Sequence, residues 1–218
     1  MLIILVAVSA YSLGWSRLMS IQKIEIDAGA EEQLIQQALV PSEIATGQPL
    51  ARINVAHINH ALGSYNWIQA VSISRNWLTR AVTVKVTPRT PVAQFQSNDG
   101  TIHYLDLSGT LFELPVTPPN VPAITFATQD LASRKLAATL LSGLPTDLVQ
   151  AMSSLVISSA SSATMALSLD KHSALTVQWG DASSLPLKVS VLRHLLALSE
   201  NAKIHEVDLS IPLSPVVK

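Results

Sequence analysis

The residue types that could carry chemistry are few in this chain, and they do not gather. His57 and His60 stand three apart in "NVAHINHALG", a spacing at which two imidazoles can share a metal on one helix face. No carboxylate occupies that turn, so a solvated helix face is the plainer reading. His103, His172, His194 and His205 are scattered one per segment, and no serine sits on a Gly-x-Ser-x-Gly elbow. Glu31 and Glu32 open a helix, while Asp106 precedes the turn residues Ser108-Gly109, so each acid has a structural role available. The eight glycines stand too far apart to write a P-loop or a dinucleotide fingerprint. Cysteine is absent, which removes thiolate catalysis, thiolate metal sites and disulfides together. The expectation is a protein with no catalytic residue, no metal, no cofactor and no small-molecule substrate.

Composition narrows the partners. Lys plus Arg (14) nearly balances Asp plus Glu (15), so no net field holds a polyanion, and nucleic acid is not an expected partner. With 218 residues, 48% of them hydrophobic, the chain has material for one large or two small cores. The opening stretch "MLIILVAVSAYSLGW" carries no charge before Arg17. As a helix from Leu2 to Trp15 it would rise about 21 Å, short of the roughly 30 Å hydrocarbon core, with Ser16 to Met19 able to lengthen it. A membrane anchor over residues 1–19 is expected, flanked by Tyr11, Trp15 and Arg17 at the interface. A cleaved signal peptide is its rival, through Val8-Ser9-Ala10, but no cationic segment precedes it.

The elements that follow must position whatever the chain uses. "KIEID" alternates Ile24 and Ile26 with charged residues, the period of a half-buried strand. "EEQLIQQALV" lines up Leu34, Ile35, Ala38 and Leu39 and stops at Pro41; "NVAHINHALG" places Val55, Ile58 and Leu62 on one stripe between an Asn54 cap and Gly63. Then Val71 and Ile73 alternate with serines, and Val82, Val84 and Val86 with Thr83, Lys85 and Thr87. The order over residues 20–88 is β-α-α-β-β, a three-stranded sheet with two helices on its apolar face. Residues 89–211 read as a second, mixed β-domain. It holds short strands around Asn98-Asp99-Gly100 and Ser108-Gly109, helices in "DLASRKLAATLL" (Ala132, Leu136, Leu140) and "LPLKVSVLRHLLALSENA" (Val189, Leu192, Leu196), and a final strand in "IHEVDLS". The serine-rich "SSLVISSASSAT" reads as an exposed strand and loop. Pro212 and Pro215 are expected to end the ladder, leaving residues 212–218 as a tail. The fold class is therefore α+β with an N-terminal membrane helix.

Without chemistry, the backbone becomes the candidate working surface. An open strand edge is a row of unpaired amides and carbonyls that templates another strand. Trp77, in the loop between two strands, is a candidate anchor for a partner.

Several segments resemble the FtsQ/DivIB family of bacterial cell-division proteins: "KIEIDAGA", "TGQPLARIN", "NWIQAVSISRNWLTRAVTVKVTPRTPVAQF", "IHYLDLSGTLFELP" and, more weakly, "LPLKVSVLRHLLALSENAKIHEVDLSIP". The most specific parts are Arg75-x-Trp77, Arg89-x-Pro91-Val92-Ala93 and the Leu105-Asp106, Gly109, Phe112 spacing. The resemblance implies a single anchor, a POTRA domain and a β-domain. It implies a single-pass protein of the cytoplasmic membrane with its bulk on the extracytoplasmic side, at the division septum. It implies a non-enzymatic scaffold that binds FtsB/FtsL-like proteins and other septal membrane proteins. It further implies that the last strand of the β-domain accepts a strand from the FtsB-like partner. That strand maps onto Ile204, His205, Glu206, Val207, Asp208 and Leu209, with Ser210 beside it where many relatives carry Arg. The alternative function is a POTRA module of an export or envelope-assembly machine.

Overall fold

The computed structural model describes residues 4, 11, 19–29, 32–40, 44–114, 121–169 and 172–218. The chain divides into two compact units, Met1–Arg89 and Thr90–Lys218.

The first unit is the expected β-α-α-β-β order. Strands β1 (Lys23–Asp27), β2 (Ile68–Asn76) and β3 (Ala81–Pro88) form a sheet in the order β1-β3-β2, with β1 parallel to β3 and β2 antiparallel to it. Val82, Val84 and Val86 on the central strand are buried, while the matching positions of the outer strands, Ile24, Ile26, Val71 and Ile73, are only half-buried. That gradient follows from position, because an edge strand has a neighbour on one side only. Helices α1 (Glu32–Leu39) and α2 (Val55–Gly63) bring Ile35, Ala38, Leu39, Ile58 and Leu62 to the core. The Asn54 side chain accepts a hydrogen bond from the His57 amide, which starts α2 as a cap should.

The second unit contains two further sheets. Strands β4 (Ala93–Gln96), β5 (Ile102–Leu105) and β6 (Leu111–Phe112) form an antiparallel meander. A six-stranded sheet runs β12-β11-β10-β9-β8-β7, from β7 (Thr125–Phe126) through β8 (Met152–Ser159), β9 (Ser162–Leu169), β10 (His172–Gly180) and β11 (Glu206–Asp208) to β12 (Val216–Val217). Helices α3 (Leu131–Gly143), α4 (Thr146–Gln150) and α5 (Leu185–Ala197) share one core with it. Leu136, Leu140, Leu148, Leu185, Val189 and Leu192 meet the buried strand residues Leu155, Ile157, Met165, Leu167, Val177 and Val207 there. In the helix "DLASRKLAATLL", Ala132 is exposed and Ala137 and Ala138 are buried, so the buried stripe is rotated from the expected one. The serine-rich segment is also not peripheral: β8 lies between β7 and β9, with Leu155 and Ile157 at 0% exposure.

Three expectations need correction. The membrane anchor over residues 1–19, and with it the cytoplasmic-membrane, single-pass localisation, is not supported, since among the described residues no helix is long and apolar enough to cross a membrane. Of that stretch only Ile4, Tyr11 and Met19 are described, and the uncharged run itself was too short for the hydrocarbon thickness. The tail over residues 212–218 contains a strand, β12, paired antiparallel to β11. Pro212 does not stop the sheet. It occupies the second position of a turn closed by the Ser214 amide on the Ile211 carbonyl, where its fixed φ is favourable, and the chain returns to the sheet after it. Finally, the strand expected as the terminal edge, residues 204–209, is not an edge: β11 lies between β10 and β12.

Candidate partner-binding edge

Three motif arginines and acids turn out to fasten loops. Arg75 donates through Nη2 to the Ile53 carbonyl at 2.8 Å, tying β2 to the entry of α2. The Arg89 amide donates to the Trp67 carbonyl, and its Nε to the Asn66 carbonyl at 2.9 Å, which closes the end of β3 on the start of β2. Asp106, at 5% exposure, accepts from the Ser108 amide (2.9 Å), the Ser108 hydroxyl (2.6 Å) and the Thr110 amide (2.9 Å), building the turn between β5 and β6. Gly109 completes that turn at φ +81°, pressed so close to α3 that a Cβ would lie 3.2 Å from the Lys135 amide nitrogen.

The remaining candidates fall into two places in the chain. Trp77 is 44% exposed at the tip of the β2–β3 hairpin, next to Leu78 at 95%. The Asn76 side chain accepts from the Leu78 and Thr79 amides, so the turn that presents them is stapled by its own first residue. The second group is the strand around β11. Ile204, Val207 and Leu209 are buried core residues; Glu206 and Asp208 are half-buried; His205 and Ser210 are exposed. Both sides of β11 are engaged. Toward β10, the Thr176 amide donates to the His205 carbonyl and the Leu209 amide to the Gln178 carbonyl, each at 2.8 Å. Toward β12, Glu206 and Lys218 exchange amide and carbonyl bonds at 3.1 and 3.0 Å. An incoming strand finds nothing unpaired on β11.

The outer edge of this sheet is β12. In an antiparallel ladder, hydrogen-bonded and non-hydrogen-bonded pairs alternate. Glu206–Lys218 is a bonded pair, so Val207↔Val217 is a non-bonded one and the amide and carbonyl of Val217 point away from β11. The Val217 side chain continues the core row Val177–Val207–Val217 and is 37% exposed, being the last in the row. In the turn that leads into β12 Ile211 (67%) and Leu213 (86%) are exposed, as is Val216 (51%) within the strand. On the adjoining polar side, the Lys218 ammonium lies 3.2 Å from the Glu206 carboxylate, which also accepts from the Gln178 amide at 2.7 Å. Sequence reasoning reached the penultimate strand and missed the last one. The signal for it was the apolar pair Val216-Val217 after a proline turn.

A second open edge belongs to β2, nine residues long and paired on one side only. Among the described residues, no group of three or more metal-ligating side chains comes together. His103 stacks on Phe95 at 5.2 Å and lies 3.6 Å from Glu113, a packing arrangement within the meander. No family model matches this chain, and no curated protein is significantly similar to it.

Proposed function

We propose that the protein is a non-enzymatic scaffold of bacterial cell division, of the FtsQ/DivIB kind, that links FtsB/FtsL-like partners by accepting a strand. The accepting edge in this reading is β12 instead of β11. One observation carries it: Val217, on the outermost strand of the sheet, turns its amide and carbonyl away from β11. Main-chain pairing supplies affinity at such an edge, and the side chain placed beside Val217 supplies selectivity. A partner strand would extend the row Val177–Val207–Val217, so an apolar residue belongs opposite Val217. Trp77 and Leu78 give a second apolar contact point on the other unit.

The test is a pair of proline substitutions assayed against the FtsB-like protein encoded by the same organism. Val217→Pro removes an amide that bonds to none of the described residues, a position where edge strands tolerate proline. It should abolish capture while the circular dichroism spectrum stays unchanged. Val207→Pro breaks the ladder between two neighbours and should instead lose about 3 kcal/mol of stability. Undiminished capture by Val217→Pro would count against the reading.

The nine-residue open edge of β2 favours a second reading, a POTRA module of an export or envelope-assembly machine that hands an extended substrate along that strand. Amide shifts on β2 upon adding an extended substrate peptide, with β12 unmoved, would select it.

A further inference from the structure

The second unit has a point from which the chain turns two ways. Residues 122–124, which lead into β7, run beside β4 in parallel: the Gln94 amide donates to the Pro122 carbonyl and the Gln94 carbonyl accepts from the Ile124 amide, both at 2.8 Å. This bridge joins the meander to the six-stranded sheet. From the end of β4 the chain turns to β5, on the side away from β7. From the end of β7 it passes through α3 and α4 to β8, on the side away from β4. Parallel neighbours whose exits diverge make a topological switch point, and the crevice at their carboxyl ends is where open sheets with helices take their ligands. Such a crevice is present here. A cleft of about 480 Å³ is lined by Gln94, Gln96 and Asn98 from β4 and its exit, by Phe126 and Gln129 from β7 and its exit, and by Ile102 of β5. That volume falls within the range of about 300–1,000 Å³ of small-ligand pockets.

The chemistry of the lining narrows the occupant. It contains no charged side chain, so a phosphate, carboxylate or ammonium group entering it would lose hydration with no ion to replace it. The start of α3 does not offset this for an anion, because Asp130 caps it with a carboxylate held below its usual range by the Ser133 amide and hydroxyl. What remains are four side-chain amides. Gln96 Nε2 donates to the Gly100 carbonyl at 3.0 Å, whereas the side-chain amides of Gln94, Asn98 and Gln129 have no partner among the described residues. A primary amide donates twice and also accepts, which matches hydroxyl groups that do both. Ile102, 48% exposed, and the half-buried Phe126 add apolar surface for the C–H side of a sugar ring. Other neutral ligands fit less well. A nucleobase asks for an open aromatic face, and Phe95 is 4% exposed, packed against His103 and Phe126. An added peptide strand asks for an open edge, and β4 is already bordered by β5 and by residues 122–124.

We propose that this cleft binds a short neutral oligosaccharide through the side-chain amides of Gln94, Asn98 and Gln129, with a sugar ring resting on Ile102 and Phe126. The site is separate from the β12 edge, at the other end of the strand order, and does not depend on the role proposed for that edge.

The experiment uses the full chain, labelled with 15N, and three neutral probes: maltotriose, cellotriose and triacetylchitotriose. At least one should produce saturable shifts of the side-chain amide signals of Gln94, Asn98 and Gln129, while the signals of β11 and β12 stay in place. Trigalacturonate, of the same length with a carboxylate on each ring, should bind at least tenfold more weakly than that probe, since nothing in the cleft stabilises its charges. Asn98 and Gln129 are exposed, so Asn98→Ala and Gln129→Ala leave the fold untouched, and each should weaken the probe several-fold. Absence of saturable shifts with all three probes, equal binding of trigalacturonate, undiminished binding by both variants, or shifts confined to residues outside the cleft would each overturn the proposal.

Discussion

At the scale of single residues, the most demanding group is Lys188. Its side chain is fully buried, yet each of its three donors has an acceptor: the Trp179 carbonyl at 2.6 Å, the Asp181 carbonyl at 2.9 Å and the Asp181 carboxylate at 3.1 Å. A buried ammonium with a full set of partners fixes the end of β10 against α5, and removing it orphans two carbonyls. Lys188→Met should therefore cost about 3 kcal/mol, read as a shift in the urea midpoint. The Asp181 carboxyl is held at about 2, chiefly by the Ser183 hydroxyl and then by Lys188. A carboxyl whose folded value lies below its ordinary 3.8 stabilises the fold while it is ionised, and that contribution drains away as pH falls from about 4 toward 2. Wild type should lose more stability over that window than Asp181→Asn, with urea titrations at pH 4, 3 and 2.5 as the measurement. Half of the Asp181 side chain is in solvent, so the difference is modest.

At the scale of elements, legibility tracked length and period. Val82, Val84 and Val86 alternate over enough positions to declare a strand, and Asn54 and Gly63 mark both ends of α2, so the order β-α-α-β-β was readable without coordinates. Strands β7 and β12 have two residues each, too few for any alternation to register, and both are held by pairing with longer neighbours. The same shortness hid the outer edge of the six-stranded sheet. Pro212 and Pro215 carry a genuine turn signal, but a proline marks the bend equally whether the chain leaves the sheet or comes back, and only the register Val207↔Val217 decides. Turn chemistry was the more dependable sign. Gly109 combines φ +81° with α3 against its missing Cβ, so Gly109→Ala should cost about 1–3 kcal/mol, through strain in the turn and displacement of Lys135. Thermal denaturation checks it, and an unchanged midpoint would mean that α3 gives way freely.

At the scale of the whole molecule, the division at Arg89 and Thr90 separates two sets of core residues. The large cluster that includes Leu140, Met165, Trp179 and Val207 draws only on the second unit. A fragment spanning residues 90–218 should fold alone, with an amide spectrum that overlays the corresponding signals of the full chain; collapse of its dispersion would show that the first unit is needed. The bridge between Gln94 and Ala123 was not foreseeable from composition, because it joins residues far apart in sequence that share no periodic pattern. The burial of Lys188 has one more consequence. Lys23, Lys85, Lys135, Lys203 and Lys218 all lie exposed, so an acylating reagent reaches them in the native protein, while Lys188 is reached only when the helix lifts from the sheet. Its labelling rate is thus a built-in clock for local opening of the second unit, readable by mass spectrometry without any probe having to be installed.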